Sequence, residues 1–355
     1  MTKKLLIVLE AGDMYASGYV RGLIYRDLFL KNGFDIKYIS RLSVPLLRLE
    51  TKIRKELPPA FALFATALQE LVSYFREVYI INLAKKYDIV YMTKVAKSRF
   101  VKNLRKKTEA YLVYDFGDAI WLDKKIDFKG LITNVDSVTT DNTYTAEYVT
   151  IFNKNCTVIP DLPQIEEFDK ARSIIKSKDK NKIVLGWVGS PSSFYNFYQI
   201  YKPLENLFSK YSNLHLRLVG VGHNPNLPPF NNVRYSILPY YNQSEMIREI
   251  MAMDIGLFPL CDDEAALVRG ILKATVYMSG GAVVVSSPIG QCKDFIQDGV
   301  NGILANSSEE WEHKLEILIN NPDLREKIAQ VGLEFVRREF TLEKSFLKLL
   351  KVLHG

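Results

Sequence analysis

The charged residues with the most informative spacing lie in the second half of the chain. Arg269 and Lys273 stand four positions apart in a segment predicted to be helical, which would place both cations on one helix face. An Arg fork and a Lys point charge together suit a diphosphate. The alternative is that Arg269 forms a surface ion pair with an acid just upstream. The upstream acids are Asp262, Asp263 and Glu264.

Two further candidate sites follow predicted strands of the second half. Gly189, Ser190 and Ser192 come after a strand predicted at 182–188 and open a predicted helix, where backbone N–H groups and hydroxyls can cradle a phosphate. The Walker A lysine is missing, so this is not a P-loop. His223 lies in another loop after a strand and could contact a ligand.

In the first half, two carboxylates follow a strand predicted at 111–114. Asp115 and Asp118 flank Gly117, at the point where the strand should end. Carboxylates there could bind sugar hydroxyls or accept a proton. The competing interpretation is an Asx-turn, in which the side chain only caps the local backbone.

A second segment of the first half has the form of an anion-binding turn. Gly18, Tyr19 and Arg21 lie after the first predicted strand, at the start of a helix. Glycine there lets an anion approach the backbone N–H groups. A plain glycine-containing turn from strand to helix explains the same residues.

Short apolar runs alternate with helix-length segments throughout the chain, which predicts βαβ units and parallel sheets. The predicted strands cover 4–9, 35–39, 89–92, 111–114, 137–140, 156–159, 182–188, 215–219, 233–237, 255–259 and 282–286. The fold class is therefore α/β, with two doubly wound Rossmann-like domains facing a central cleft. The domains are predicted at 1–165 and 182–338, joined by a linker or irregular helix at 166–181 and followed by a last helix at 339–355.

Composition excludes several classes of protein. The chain has 355 residues, 48% hydrophobic and 25% charged, as in ordinary globular proteins. Its three cysteines are far apart, which fits a reducing cytoplasm and argues against a disulfide framework or a zinc site. The apolar runs are too short for a membrane span. Signatures of nucleic-acid-binding domains are absent from the sequence, so nucleic acid is not an expected partner.

The net charge of +7 is unevenly distributed: residues 1–160 carry +8 and residues 161–355 carry −1. An anionic membrane surface or an anionic substrate would be attracted to the first half, although a merely solvated basic face explains the same excess. Residues 58–87 are rich in aromatic side chains and should form one long helix. This helix either covers the first sheet or is an amphipathic segment that touches lipid or a lipid-linked substrate.

Several phrases of the sequence resemble a known family, the retaining GT-B glycosyltransferases known as glycosyl transferases group 1 or family 4. They are YMSGG at 277–281, SPIG at 287–290, DGVNG at 298–302, GWVGSPS at 186–192 and YDFGDAIW at 114–121. The resemblance covers most of the second half of the chain and parts of the first.

The resemblance implies transfer of a sugar from a nucleoside diphosphate sugar to a hydroxyl acceptor, a saccharide or lipid-linked saccharide, without a metal or other cofactor. It assigns the acceptor to the first domain and the donor to the second, and it suggests that the last helix crosses back to the first domain. Glu264, Ser287 and Gly290 join the donor-side candidates, and Asp115 and Asp118 become catalytic candidates together with the two cations. The expected location is cytoplasmic, peripheral at the inner face of the membrane.

The sequence departs from the family at two glutamates, whose positions are Val268 and Val276 here. Many family members also carry a histidine near the acceptor, and residues 1–214 contain no histidine. A non-catalytic nucleotide-sugar-binding or assembly subunit is therefore the alternative function.

Overall fold

The structure is a computed structural model that describes residues 2–14, 16–174 and 181–355. The chain divides into two compact units. The first comprises Met1–Asp161 and Leu342–Gly355, and the second comprises Leu162–Thr341. Each unit is built on one parallel six-stranded sheet with helices around it.

The first sheet has the strand order β2-β1-β3-β4-β5-β6 and the second has the order β12-β11-β10-β7-β8-β9. The strands of the first sheet are β1 Lys4–Leu9, β2 Asp35–Ser40, β3 Ile89–Thr93, β4 Tyr111–Phe116, β5 Ser137–Thr140 and β6 Cys156–Val158. Those of the second are β7 Ile183–Val188, β8 Leu214–Val219, β9 Tyr235–Leu238, β10 Ile255–Phe258, β11 Val283–Ser286 and β12 Ile303–Leu304.

Helices connect the strands in both units. The helices of the first unit are α1 Ala16–Arg21, α2 Arg26–Lys31, α3 Val44–Glu56, α4 Pro59–Ala84, α5 Ser98–Lys107, α6 Phe128–Ile132, α7 Thr143–Thr150 and α16 Leu342–His354. Those of the second are α8 Ile165–Ile174, α9 Tyr201–Lys210, α10 Gln243–Met251, α11 Glu264–Leu267, α12 Leu272–Ser279, α13 Gln291–Phe295, α14 Ser308–Asn320 and α15 Pro322–Glu339. Short 3-10 helices cover Gly12–Met14, Leu23–Tyr25, Ile120–Leu122 and Pro191–Gln199.

The apolar runs form strands because both faces of each sheet are covered. In β1, Leu5 and Ile7 point into the cluster that contains α2 and α16, whereas Leu6 and Val8 point into the opposite cluster. Successive side chains of a strand alternate between faces, so a strand buried on both sides must be apolar throughout. The predicted α/β class with two doubly wound parallel sheets is confirmed.

Each sheet has one point at which the strand order reverses. In the first sheet this point lies between β1 and β3, and in the second it lies between β7 and β10. The chain leaves the two strands in opposite directions there, which opens a crevice at the carboxyl edge where ligands of doubly wound sheets bind. These two edges are where the candidate residues must be examined.

The segment between the two sheets differs from a simple linker. Residues 165–174 form α8, whose Phe168 is fully buried and whose Arg172 donates a hydrogen bond of 2.7 Å to the Ser279 carbonyl. Residues 175–180 of the predicted linker lie outside the described residues. The last helix, α16, lies in the first unit, where Phe346 contacts Phe29 with ring centroids 5.2 Å apart.

The long helix predicted at 58–87 is α4, and only its last turns cover the sheet. Ile80, Ile81 and Ala84 are buried in the cluster that includes β1 and β3. Of the helices in the described part of the chain, none has both the length and the apolar character of a membrane span.

Candidate functional site

The carboxyl edge of the second sheet opens between β7 and β10. These strands pair only at Ile255 with Leu185 and at Gly256 with Gly186, and beyond those pairs they diverge. Tyr277 of α12 fills the point of divergence, because its hydroxyl accepts a hydrogen bond from Val188 N at 2.8 Å and donates one to the Leu257 carbonyl at 3.2 Å.

Tyr277 fixes the position of Lys273, which lies one helical turn earlier in α12. Gly256 permits this packing, since a Cβ there would lie 2.3 Å from the Tyr277 ring. The Lys273 ammonium consequently lies 4.3 Å from the ring centroid of Trp187 in β7 and 5.0 Å from that of Phe258 in β10. The lysine therefore lies directly over the crevice between the two strands.

Lys273 lacks a carboxylate partner among the residues that the structure describes, and the charge that acts on it most strongly is that of another cation, Arg269. Burial, and then the positive charge of Arg269, lower the pKa of Lys273 from 10.5 to about 7. The Arg269 Nε is buried and has no hydrogen-bond partner among the described atoms. Two adjacent cations without a compensating acid form a site that favours an anion.

The prediction that Arg269 and Lys273 share one helix is wrong. Helix α11 ends at Leu267, Val268 caps it, and α12 begins only at Leu272. Arg269 and Gly270 lie in the break between the two helices. The proximity of the two cations therefore does not come from i, i+4 spacing within one helix.

The competing ion pair of Arg269 with the upstream acids does not form either. Asp263 caps α11, accepting a hydrogen bond from Ala266 N at 2.7 Å, and its other oxygen accepts one from the Tyr195 hydroxyl at 3.0 Å. Asp262 and Glu264 are exposed, and neither has a salt bridge to Arg269 among those formed by the described residues.

The loop after β7 lies beside the lysine. Gly189 is required there, because a Cβ would lie 2.4 Å from the Trp187 ring. Ser190 precedes the 3-10 helix Pro191–Gln199, and its hydroxyl lies 3.0 Å from that of Ser192. Both serines are exposed at this edge and are free to contact a ligand. The predicted α-helix here is a 3-10 helix followed by α9.

The remaining donor-side candidates of the second unit differ in their exposure and their contacts. His223, in the loop after β8, is exposed and contacts Tyr240 with ring centroids 5.0 Å apart. Ser287 is buried, and its hydroxyl accepts a hydrogen bond from Leu260 N at 3.0 Å, which joins the loops after β10 and β11. Gly290 has φ +54°, and a Cβ there would lie 2.6 Å from the Leu267 carbonyl oxygen.

At the carboxyl edge of the first sheet, Arg21 and Asp115 form a buried ion pair. The Asp115 Oδ1 lies 2.6 Å from Arg21 Nη2 and also accepts a hydrogen bond of 2.6 Å from the Thr139 hydroxyl. Arg21 Nη1 donates to the Ile159 carbonyl at 2.6 Å and to Asp161 at 2.9 Å. Asp115 lies within β4 and is fully buried, so both members of the pair hold the unit together in this arrangement.

Two of the other first-unit candidates, Tyr19 and Asp118, are accessible. Tyr19 of α1 is 45% exposed, whereas Gly18 is buried. Asp118 follows β4, is exposed, and forms an ion pair with Lys94. Lys94 directly follows β3 and has φ +53°. This left-handed conformation is strained for a lysine.

Asp141 is a residue that the sequence analysis missed. It follows β5 and is buried, and its carboxyl carbon lies 3.4 Å from the position of a Cβ on Gly117. Burial, together with the negative charges of Asp161 and Asp118, raises the pKa of Asp141 well above its ordinary value. An acid directly after a predicted strand was the available signal.

The described residues contain no group of three His, Cys, Asp or Glu side chains that could hold a metal ion. Each carboxyl edge thus has its own candidate. The first has an accessible acid, Asp118, and the second has two cations without a carboxylate partner among the described residues.

Residues 202–351 match a family model described as glycosyl transferase-like. An uncharacterised glycosyltransferase of Methanocaldococcus jannaschii is 28% identical over 206 residues, which is 52% of this chain. The chain spans about half the length of that curated relative, 50%.

Solved structures are similar over nearly the whole chain. A glycosyltransferase from Rickettsia africae has a TM-score of 0.66 at 17% identity, covering 99% of this chain and 98% of the other. HepE of Anabaena in complex with UDP and glucose has a TM-score of 0.62 at 14% identity, covering 99% and 100%. The protein therefore has the GT-B fold, with two Rossmann-like units of parallel sheet and flanking helices.

Proposed function

We propose that this protein transfers a sugar from a nucleoside diphosphate sugar to a hydroxyl of a saccharide or lipid-linked saccharide, with retention of configuration. The observation that carries the proposal is the pair Arg269 and Lys273, two cations without a carboxylate over the crevice between β7 and β10. The match of residues 202–351 to a glycosyl transferase-like family supports it.

The cation pair has the chemistry that a diphosphate leaving group requires. As the bond between the anomeric carbon and the diphosphate oxygen breaks, negative charge accumulates on that oxygen, and cations held in place there lower the barrier. Arg269 Nε donates to a phosphate oxygen, and the anion draws a proton onto Lys273, whose pKa of about 7 leaves it partly neutral beforehand. The aromatic rings of Trp187 and Phe258 bring their faces to the ammonium.

We assign the surrounding donor-side residues in the same way. Gly189, Ser190 and Ser192 contact the phosphates or the sugar, and His223 and Glu264 contact the donor from their exposed loops. Ser287 and Gly290 position the loops after β10 and β11, which hold Arg269.

On the acceptor side, we propose that the attacking hydroxyl approaches the anomeric carbon from the face that the diphosphate leaves, so that the configuration is retained. Asp118 receives the proton of that hydroxyl as its oxygen bonds to the anomeric carbon. Its exposure after β4 and its ion pair with Lys94 support this role. Tyr19 and the Gly18 turn border the same edge, whereas Arg21 and Asp115 support it from within.

The donor proposed first is a UDP-sugar, because the HepE structure of Anabaena contains UDP and glucose. The expectation that no metal is needed rests on the family resemblance, and unchanged turnover in the presence of a chelator is the result that would support it. We propose that the enzyme acts in the cytoplasm, peripherally at the inner face of a membrane.

The alternative function is a non-catalytic nucleotide-sugar-binding or assembly subunit. It is favoured by Val268 and Val276, two buried apolar residues at the positions where the family carries glutamates. Hydrolysis of the donor in the absence of acceptor separates the two functions. Turnover supports the enzyme, and tight binding without turnover supports the subunit.

The first experiment is a thermal-shift screen against UDP-, GDP- and dTDP-sugars. A ligand that binds only the folded state raises the melting temperature, so one nucleotide series should stabilise the protein and identify the base. The product of the matching donor, analysed by NMR at its anomeric carbon, should retain the donor configuration. The absence of any shift with all three series would contradict the proposal, and an inverted product would contradict retention.

A further inference from the structure

The outward face of α4 is the largest accumulation of exposed apolar side chains on a single described helix. Eight large apolar residues of this helix are between 44% and 74% exposed. They are Phe61, Leu63, Phe64, Leu71, Tyr74, Phe75, Val78 and Tyr79. At 100° per residue they fall on the side of the helix opposite its buried residues. We call this set the α4 outward face.

Charged residues are excluded from the α4 outward face. Helix α4 is described throughout and contains three charged residues, Glu70, Arg76 and Glu77. On the helical wheel all three fall outside the outward face, and Glu77 is buried. Gln69 and Ser73 are also buried, and their side-chain polar atoms have no hydrogen-bond partner among the described atoms. The helix therefore buries several of its polar groups while eight of its large apolar side chains are exposed.

Ion pairs fix this rotation of the helix. Arg41, just after β2, donates to Glu77 at 2.7 Å and to Glu10, just after β1, at 2.6 Å. Arg76 donates from Nε to the Ser40 carbonyl at 3.1 Å. Turning the apolar side chains inward would break these buried bonds, so their exposure is a stable property of the unit.

The same bonds show where the helix lies relative to the sheet. Glu77 reaches the carboxyl edge, because Arg41 and Glu10 follow the ends of their strands. At 1.5 Å per residue, the part of α4 from Pro59 to Glu77 extends about 27 Å, beyond that edge and away from the body of the sheet. The α4 outward face thus begins near the carboxyl edge of the first sheet.

Charge complementarity selects the occupant of this face. Arg99 lies over the Tyr74 ring at 5.7 Å, and α3, which packs beside α4, carries Arg48, Lys52 and Arg54. Lys52 and Arg54 pair with glutamates of the same helix, and both remain more than half exposed. Residues 1–160 as a whole carry +8. A second copy of this chain would oppose one basic surface with another, whereas an anionic bilayer offers opposite charge and an apolar interior.

We propose that the α4 outward face docks the first unit on an anionic lipid bilayer, with its Phe and Leu side chains entering the boundary between headgroups and acyl chains. Such a helix lies in the plane of the interface, held by apolar burial and by attraction of flanking cations to anionic lipid. Docking brings the carboxyl edge of the first sheet to the lipid surface. This inference does not depend on glycosyl transfer, and its test uses no sugar donor.

The test is co-sedimentation of the full chain with phosphatidylcholine vesicles that contain or lack phosphatidylglycerol. The variant Leu63→Ser/Phe64→Ser/Phe75→Ser removes three apolar side chains and leaves the charge unchanged. The matched control is Ile151→Ser/Leu347→Ser, which removes apolar side chains that are 66% and 58% exposed elsewhere on the first unit. The single variant Phe64→Ser provides a second, milder change.

We expect the wild type and the control to bind vesicles that contain phosphatidylglycerol, less at high salt, and to bind neutral vesicles weakly. The triple variant should bind about tenfold or more weakly, because apolar insertion is lost. Equal binding to neutral vesicles, or undiminished binding by both α4 variants, would overturn the proposal. A dimer in lipid-free sedimentation that the triple variant abolishes would assign the face to a second copy instead.

Discussion

The carboxyl edges of the two sheets have the same topology, but they differ in whether carboxylates neutralise their cations. In the first unit, Arg21 is held by Asp115 and Asp161, so a buried cation is neutralised within the protein. In the second unit, Lys273 and Arg269 lie together without a carboxylate among the described residues. The first edge thus neutralises its buried cation, whereas the second keeps a local excess of positive charge.

This difference shows that the type of a charged residue near the end of a strand does not by itself reveal whether the residue is structural or functional. Asp115 and Lys273 were both catalytic candidates from their positions in the sequence. The structure gives Asp115 a full set of internal partners, and it gives Lys273 two aromatic faces and a neighbouring cation. Perturbing each edge separately tests whether this contrast is real.

The largest effect on stability should come from the carboxyl edge of the first sheet, where Arg21 is neutralised by buried carboxylates. Asp115→Asn leaves Arg21 buried with its main partner neutral, and loss of one partner of a buried pair costs about 3–5 kcal/mol. The free energy of unfolding, measured by urea denaturation, should fall by about that amount. Asp118→Asn is the control, since its exposed pair should change stability by less than about 0.5 kcal/mol. Equal stability of both variants would show that the Arg21 pair is not structural.

The next effect concerns the exposed acid of the same unit. Asp118→Asn keeps the shape and removes the charge, so turnover should fall by about 10²-fold or more if the residue takes a proton. The melting temperature should barely move. Normal turnover would remove Asp118 from the reaction, and a failure to fold would assign it to the local turn.

A smaller effect is expected in the loop that follows β11. Gly290 and Gly281 both have positive φ, but a Cβ on Gly290 would lie 2.6 Å from Leu267 O, whereas a Cβ on Gly281 meets nothing within 4 Å. Replacement by Ala should cost about 1–2 kcal/mol at Gly281 from backbone strain alone. Gly290→Ala should cost more in urea denaturation. Equal costs would mean that the approach of this loop to α11 is not tight.

A separate effect is a pH dependence from Lys273. Its pKa is about 7 in the folded protein and 10.5 in an ordinary lysine. Between these values the unfolded chain binds a proton that the folded protein lacks, so the contribution of Lys273 to the free energy of unfolding rises with pH across this window. Lys273→Met should lack that rise in unfolding curves from pH 7 to 10. A parallel pH profile in both proteins would show that Lys273 has an ordinary pKa.

The sheets could be predicted from the sequence because their signals are local. Continuous apolar runs such as residues 183–188 and 283–286 mark strands buried on both faces. The prediction was weaker where a short break interrupts a periodic segment. Gly270 lies in the break between α11 and α12, so the single helix predicted through Arg269 and Lys273 is interrupted there.

The partners within each site could not be predicted, because they come from distant parts of the chain. Arg21 meets Asp115 across 94 positions, and Lys273 meets the Trp187 ring only because Tyr277 anchors α12 between two strands. The sequence of residues 58–87 predicts the helix α4, but it does not indicate which face of that helix is buried. Arg41 and Glu77 decide that, and their pairing is a tertiary contact.

Calorimetry with UDP and with uridine tests the central claim, that the second edge awaits a diphosphate. Charge-assisted contacts are worth about 1.5–3 kcal/mol each, so Lys273→Ala should weaken UDP about 10- to 150-fold and leave uridine nearly unchanged. Lys293→Ala, an exposed lysine of α13, is the matched control and should bind both ligands as the wild type does. Equal losses for UDP and uridine, or no loss for UDP, would contradict the account.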